Sequence, residues 1–170
     1  GDSRTETTGI GPLASRAQQE RVLGYIRSGI EEGAKVVLGG TDLPEVDAET
    51  AGGYFVRPTV FSRTTPEMRI VREEIFGPVL SIQTYSDLDE AMRLANDTEY
   101  GLHAAVFAGS DAEALKLGRG LEAGMVTVNG GGMDMRAPFG GYKQSGLGRE
   151  FGGFGFEEFL EVKALRLPAA

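Results

Sequence analysis

The chain has 170 residues, 41% hydrophobic and 25% charged, a composition ordinary for one soluble globular domain. It has no apolar run near the ~20 residues of a membrane span and no signal-peptide pattern. A formal net charge of −8 argues against a nucleic-acid-binding surface. With no cysteine and one histidine, a thiol nucleophile, a disulfide framework and a metal site such as zinc are not expected. That histidine, His103, begins an apolar run, which disfavours a catalytic role.

The first half of the chain predicts one helix followed by short strands. Ser15 and Gln18 match a capping box ahead of an apolar stripe, so we expect a helix over residues 15–32 that stops at Gly33. Two strands and a helical turn follow, over residues 34–38, 54–61 and 65–69. Pro58 interrupts the second of these strands, which predicts a position near a sheet edge.

The second half alternates strands with helices. Strands are expected over residues 79–85, 103–108 and 125–128. The intervening helices begin at Ser86 and Ser110, which form capping boxes with Asp89 and Glu113, and the second helix ends at Gly124. A strand–helix–strand–helix–strand order with short links predicts an α/β fold whose parallel strands are joined by right-handed crossovers.

A glycine-rich segment, residues 129–150, follows the last of these strands without regular periodicity. Open α/β sheets place ligand crevices at this end of a strand, so the segment is expected to be functional. The glycines at 146–152 do not form a dinucleotide fingerprint, because their last spacing is too long and no strand directly precedes them. Residues 160–167 predict a strand that joins a distant sheet edge, in this chain or in another subunit.

Residues 73–78 (EEIFGP) allow two interpretations from their chemistry alone. Two adjacent carboxylates before a strand usually belong to a solvated turn. A carboxylate beside an exposed aromatic ring is also suited to holding ribose hydroxyls. The residue types permit both.

Six sequence blocks, taken in order, resemble the aldehyde dehydrogenase superfamily. They are YFVRPT at 54–59, EEIFGPV at 73–79, NDTEYGL at 96–102, VTVN at 126–129, PFGGYKQSGLGRE at 138–150 and EVK at 161–163. The similarity extends over essentially the whole chain. It implies an α/β fold containing the parallel β-α-β-α-β core of that family's catalytic domain, in residues 1–159, and a C-terminal oligomerisation strand and tail in residues 160–170.

The resemblance also implies a reaction. In this family a cysteine thiolate attacks an aldehyde, a hydride passes to NAD or NADP, and a glutamate-activated water releases the carboxylic acid. The nucleophile, the base, the oxyanion asparagine and the nucleotide-binding domain lie upstream of the portion that this chain resembles. We therefore assign no catalytic residue and expect the chain alone to be inactive.

Several residues match functional positions of the family. Glu74 matches a glutamate that binds the hydroxyls of the nicotinamide-side ribose, and Phe76 matches an aromatic residue beside that ribose. Phe139 matches an aromatic residue of the aldehyde tunnel, and Met133 lies in the segment 130–136 that occupies the substrate-recognition position. Arg149 and Glu161 match a charged pair at the subunit interface, where an ordinary surface ion pair is the competing interpretation.

We expect a cytoplasmic homodimer or homotetramer that acts on a small-molecule aldehyde, without nucleic-acid or membrane partners. Because Gly1 begins inside a stretch that matches the family, a fragment of an active enzyme is the preferred interpretation. A naturally short, non-catalytic oligomerisation or binding module of the same fold is the alternative.

Overall fold

Helix α1 (Arg16–Glu31) begins where its capping residue predicts. The Ser15 hydroxyl accepts a hydrogen bond from the Gln18 backbone N–H, as expected. The second half of the predicted capping box is wrong, because the Gln18 side chain does not return to Ser15. Its amide nitrogen donates instead to the backbone oxygen of Phe76 at 2.6 Å. A residue at this helix end thus fixes a loop distant in sequence.

The structure, a computed structural model, describes residues 1–168 and divides into two units. The first unit runs from Gly1 to Ser86 and the second begins at Asp87.

The sheet of the first unit has the order β1-β2-β3, formed by Lys35–Leu38, Thr59–Ser62 and Val79–Ser81. Strand β2 pairs antiparallel with β1 and parallel with β3, so it is the central strand. The edge position predicted from Pro58 is therefore wrong. Pro58 lies just before the first residue of β2, where its missing N–H removes no bond of the ladder, and Thr59 makes the first bond, to Pro78 O at 2.9 Å.

The core of this unit lies between α1 and the sheet. Val22, Ile26 and Phe61 are completely buried, and Ile70 of helix α2 (Arg69–Arg72) packs with them. Burial of each such side chain contributes about 1.5–3 kcal/mol relative to exposure. A hydrogen-bonded turn begins at Thr65 as predicted, with the Met68 N–H donating to Thr65 O at 3.2 Å, and α2 follows it.

Three side chains join α1 to α2 and to the residue that follows α2. The Tyr25 hydroxyl donates to Glu73 Oε2 at 2.7 Å, and Arg69 Nε donates to Glu73 Oε1 at 2.9 Å. The Arg69 guanidinium also lies 4.6 Å from the centre of the Tyr25 ring. Arg69 and then Tyr25 lower the pKa of Glu73, whereas the Glu73 carboxylate raises the pKa of Tyr25. We call Tyr25, Arg69 and Glu73 the Tyr25 cluster.

The second unit contains a two-stranded parallel sheet. Strands β4 (His103–Val106) and β5 (Met125–Val128) pair in parallel, and helix α4 (Asp111–Gly118) connects them in the chain. This arrangement matches the predicted strand–helix–strand unit. Helix α3 (Leu88–Asn96) precedes them. The first of the three predicted strands, β3, pairs with β2 in the sheet of the first unit.

Two helix ends differ from their predictions. Helix α3 is capped by Asp87, whose carboxylate accepts the Glu90 N–H at 2.8 Å, and not by Ser86. Aspartate and serine are comparable N-caps, so neighbouring candidates cannot be ranked by type. Helix α4 begins after Ser110 as predicted but ends at Gly118, well before Gly124.

The glycine-rich segment packs against residues 96–101 through a short 3-10 helix, Lys143–Ser145. The Lys143 ammonium donates to the backbone oxygens of Asn96 and Thr98 at 2.7 and 2.9 Å, and it pairs with Glu122 at 2.7 Å. The Gly101 N–H donates to Ser145 Oγ at 2.9 Å. These contacts were not predicted, and they hold the segment in one conformation.

The C-terminal part forms helix α5 (Gly152–Glu157), which the sequence did not predict. Residues 161–168 are exposed and have no assigned secondary structure. The strand expected over residues 160–167 is therefore not formed within the part of the chain that the structure describes. A strand must pair its backbone N–H and C=O groups, and residues 1–168 supply no partner.

Gly124 gives a stability prediction for the second unit. A Cβ atom at this position would overlap the backbone oxygen of Gly140, so Gly124→Ala forces β5 and the glycine-rich segment apart. We expect a loss of about 2 kcal/mol or more, measured by urea denaturation. Gly24→Ala is the matched control, because a Cβ at Gly24 in the middle of α1 meets no atom within 4 Å. That control should be neutral or stabilising by about 0.5–1 kcal/mol; equal losses from both variants would contradict the packing described here.

The Tyr25 cluster predicts a pH-dependent contribution to stability. Tyr25→Phe should lower the free energy of unfolding at pH 7 by about 1 kcal/mol, since it removes one hydrogen bond. Because the pKa of folded Glu73 is lowered, its contribution is lost as the pH falls below the ordinary value of about 4.5. Because the pKa of Tyr25 is raised, its contribution is lost as the pH rises beyond the ordinary value of about 10.

The difference in the free energy of unfolding between the unmodified chain and Tyr25→Phe is therefore largest between these two pH values. Urea denaturation at a series of pH values measures it. A difference that stayed constant from acid to alkali would show that the hydroxyl is not coupled to Glu73.

Candidate functional site

Residues 73–77, which we call the Glu74 loop, connect α2 to β3 and are attached to α1. Arg21 Nη2 donates to the backbone oxygen of Glu74 at 2.8 Å, and the Gln18 amide donates to that of Phe76. Ile75 is 8% exposed and packs in the core between these two attachments. A Cβ on Gly77 would come within 2.5 Å of Val22, so only glycine allows this close approach to α1.

Phe76 has an unusual backbone conformation. Its φ is +59°, in the left-handed region that costs a non-glycine residue about 1–3 kcal/mol. Its ring is 74% exposed although the residues on either side of it are packed against the core and α1. The constraints on its neighbours thus keep an aromatic face at the surface.

The two adjacent glutamates have different surroundings. Both carboxylate oxygens of Glu73 accept hydrogen bonds within the Tyr25 cluster. The Glu74 side chain is exposed and has no hydrogen bond or ion pair with any of residues 1–168. Only Glu74 therefore retains free acceptor oxygens.

A cleft of about 410 Å³ opens beside the Glu74 loop. It is lined by Ile70, Val71, Glu73, Glu74, Ile75, Phe76, Gly77, Val79, Ser81 and Gln83. A free carboxylate and an exposed ring at one cleft suit a pair of vicinal hydroxyls on a flat, partly apolar sugar. The two residues that the sequence assigned to a cofactor thus lie in one place.

The two residues assigned to the substrate also lie together, in the second unit. Phe139 and Met133 line a cleft of about 550 Å³, in which apolar side chains predominate. The Phe139 ring packs on Phe151, with ring centroids 5.9 Å apart and planes inclined by 56°. Reciprocal backbone hydrogen bonds with Glu150, at 2.8 and 2.6 Å, hold Phe139 in place.

The segment 130–136 forms one rim of this cleft. Met133 is 67% exposed there. Asp134 accepts bonds from the backbone N–H, Nε and Nη2 of Arg136, and these bonds lower the pKa of Asp134. Asp134 and Arg136 therefore neutralise each other within one turn. The rim carries the exposed Met133 side chain and no unpaired charge from these two residues.

His103 lies at the same cleft but shows no catalytic arrangement. Its Nε2 is 2.8 Å from Thr127 Oγ1, and no carboxylate of residues 1–168 bonds its ring. Within those residues, no group of three His, Cys, Asp or Glu side chains is arranged to hold a metal ion. The described part of the chain therefore offers neither a triad nor a metal centre.

Arg149 and Glu161 are not brought together. Arg149 Nη1 donates to the backbone oxygens of Gly141 and Gly148 at 3.0 and 2.8 Å, and the guanidinium lies 5.3 Å from the Tyr142 ring centre. Glu161 is exposed and makes no ion pair with Arg149 in the described chain. Arg149 thus stabilises the glycine-rich segment itself.

Several residues of the two sites were missed by the sequence analysis. Gln18 and Arg21 look like ordinary polar positions of an amphipathic helix, and Lys143 like a surface lysine. Phe151 gave a weak signal as an aromatic residue among glycines, although its partner was not evident. Their roles depend on contacts between residues far apart in the chain.

The helices among residues 1–168 include none with the length and apolarity needed to cross a membrane.

Comparison with known proteins identifies the family. Residues 1–165 match the aldehyde dehydrogenase family. A Staphylococcus saprophyticus protein named as an aldehyde dehydrogenase is 53% identical over 167 residues, which are 97% of this chain and 34% of the relative.

Solved structures agree with this match. A variant of aldehyde dehydrogenase C from Pseudomonas syringae, in complex with NAD+ and octanal, is 50% identical with a TM-score of 0.88, over 97% of this chain and 33% of its own. The Mycobacterium tuberculosis aldehyde dehydrogenase bound to NAD+ is 43% identical with a TM-score of 0.86. The match covers 94% of this chain and 32% of the Mycobacterium tuberculosis chain. The chain spans about a third of the length of these relatives. The α/β fold with parallel strands and the match over nearly every residue show that this chain belongs to the aldehyde dehydrogenase family.

Proposed function

We propose that the complete protein containing this chain is an NAD(P)-dependent aldehyde dehydrogenase, which oxidises an aldehyde to a carboxylic acid. The observation that carries the proposal is the Glu74 carboxylate, which has free oxygens in a cleft beside the exposed Phe76 ring. Related structures contain NAD+, which favours a nicotinamide cofactor here.

Glu74 and Phe76 are the residues that would hold the cofactor. The Glu74 carboxylate would accept hydrogen bonds from the two hydroxyls of the nicotinamide-side ribose, and the Phe76 ring would pack near that sugar. The bound nicotinamide supplies a hydride acceptor. The contribution of this chain is to orient that acceptor, because its residues include no thiol to attack the aldehyde. The chain alone is accordingly expected not to oxidise aldehydes.

For the substrate we propose an aldehyde with an apolar body. Phe139 and Met133 lie in a mainly apolar cleft, and the rim formed by residues 130–136 carries no unpaired charge that would select a charged substrate. Met133 adds an unbranched, adaptable side chain, which tolerates alkyl groups of different shape. The Pseudomonas syringae relative was solved with octanal, which supports an aliphatic aldehyde.

We also propose that the complete protein is a cytoplasmic homodimer or homotetramer. Residues 160–170 would form the oligomerisation strand and tail, separate from residues 1–159, by pairing with a sheet edge of a neighbouring subunit. The exposure of residues 161–168 supports this role, since this segment pairs with no strand of residues 1–168 and so remains available to a sheet edge of another subunit. Arg149 and Glu161 would lie at that interface.

The role of Glu74 predicts a specific kinetic defect. Glu74→Gln in the complete protein keeps the side-chain size but replaces one acceptor oxygen by a donor and removes the charge. We expect the Michaelis constant for the cofactor to rise only modestly and the hydride step to slow about tenfold, because reacting atoms must be held at roughly 3–3.5 Å. A primary isotope effect with deuterated aldehyde should then appear or grow.

Glu20→Gln is the matched control, because Glu20 is an exposed glutamate of α1 outside the cleft. Its turnover and isotope effect should equal those of the unmodified enzyme. If Glu74→Gln behaves like this control, Glu74 is a solvated turn residue and the cofactor assignment is wrong.

The apolar cleft predicts a dependence on substrate length. Met133→Ser and Phe139→Leu should lower kcat/KM for an eight-carbon aldehyde about tenfold and for acetaldehyde much less, since each buried methylene contributes about 0.8 kcal/mol. Leu147→Ser is the control, because Leu147 is fully exposed outside the cleft. Equal losses for both aldehydes would show that these residues do not contact the substrate chain.

A further inference from the structure

The Tyr25 cluster surrounds Glu73 with donors and leaves the next residue free. Tyr25 Oη, Arg69 Nε and Arg69 Nη2 donate to the Glu73 carboxylate at 2.7, 2.9 and 3.1 Å. Both oxygens of Glu73 are therefore hydrogen-bonded within the cluster, whereas neither oxygen of the Glu74 carboxylate has a donor among residues 1–168. The exposed Arg69–Glu73 ion pair by itself contributes little to stability.

Arg21 connects the cluster to the backbone of Glu74. Its Nη2 donates to Tyr25 Oη at 3.1 Å and to the Glu74 backbone oxygen at 2.8 Å, and its guanidinium lies 5.1 Å from the Tyr25 ring centre. Tyr25 is thus connected to the backbone on both sides of the Glu74 Cα. On the N-terminal side the connection runs through the side chain of Glu73, and on the C-terminal side it runs through Arg21 to the Glu74 backbone oxygen. Tyr25 is only 3% exposed in the core, so it is a fixed reference for both attachments.

We propose that Glu73 is a positioning residue, which with Tyr25 and Arg69 fixes the backbone at Glu74 so that the Glu74 carboxylate is aimed at the cofactor ribose. This inference rests on the proposed function. The exposed Glu74 side chain has no partner among residues 1–168, so its backbone is the part of Glu74 that this chain holds in place, and that backbone fixes the position from which the carboxylate reaches the ribose. A binding group must be held within about 0.5 Å of its productive position, and that precision requires fixed supporting residues.

A double-mutant cycle in the complete holoenzyme tests this role. If Glu73 acts through Glu74, Glu73→Gln should lower kcat about fivefold when Glu74 is present and less than about twofold in the Glu74→Gln background. The isotope effect with deuterated aldehyde should grow in Glu73→Gln, while the Michaelis constant for the aldehyde stays unchanged. A merely structural role would lower the amount of active enzyme equally in both backgrounds and leave the isotope effect unaltered.

Tyr25→Phe provides a second, milder variant, because it keeps the buried ring and removes only the hydroxyl. Its effect on kcat should also be smaller in the Glu74→Gln background than in the unmodified enzyme. This variant keeps the test available if Glu73→Gln does not fold. Arg27→Met is the control for loss of a guanidinium, since Arg27 is an exposed α1 residue that bonds none of these groups within residues 1–168. It should leave kcat and the isotope effect unchanged.

The outcomes separate the two proposals. Additive effects of Glu73→Gln and Glu74→Gln, or an unchanged isotope effect in both Glu73→Gln and Tyr25→Phe, overturn the positioning role but leave the cofactor role of Glu74 intact. A silent Glu74→Gln overturns both. A strong Glu74→Gln defect that masks the Glu73→Gln defect supports both.

Discussion

The attachment of the Glu74 loop to helix α1 is the constraint on which the cleft beside Glu74 depends. Gln18 and Arg21 hold the carbonyl oxygens of Phe76 and Glu74, and Ile75 between them is buried. Each hydrogen bond contributes about 1 kcal/mol and burial of Ile75 about 1.5–3 kcal/mol. These terms together exceed the roughly 1–3 kcal/mol of backbone strain at Phe76. The loop can therefore present a strained, exposed aromatic residue in a single conformation.

The regular elements followed from local sequence signals. Hydrophobic periodicity and capping residues predicted α1, β5 and the start of α4 closely, because those signals act within one or two turns. Two of the errors concern where an element begins. Asp87 outcompeted Ser86 as a cap, and the strand predicted over residues 54–61 begins only at Thr59, directly after Pro58. Sequence patterns place the ends of an element less reliably than they identify the element itself.

The residues of the two clefts were predicted from resemblance to a family and not from local sequence signals. The residues that line the clefts, Glu74, Phe76, Phe139 and Met133, came from resemblance to a family. The residues that hold them did not, because a glutamine at a helix start fits a capping box as well as a distant carbonyl. Lys143 illustrates the same limit, since its bonds to Asn96 and Thr98 join residues more than forty positions apart.

In both clefts, hydrogen bonds fix the backbone beside a side chain that lines the cleft. In the first unit, α1 fixes the backbone beside Glu74, and in the second unit the backbone bonds to Glu150 fix Phe139. Neither Glu74 nor Phe139 can serve as a nucleophile towards an aldehyde in place of the missing thiol. Both line clefts and can restrict where a bound molecule lies, and holding reacting groups in the right orientation can lower a reaction barrier by up to about 7–11 kcal/mol. Substitutions at these two positions should therefore change how a bound molecule is oriented, which is what the proposed roles of Glu74 and Phe139 require.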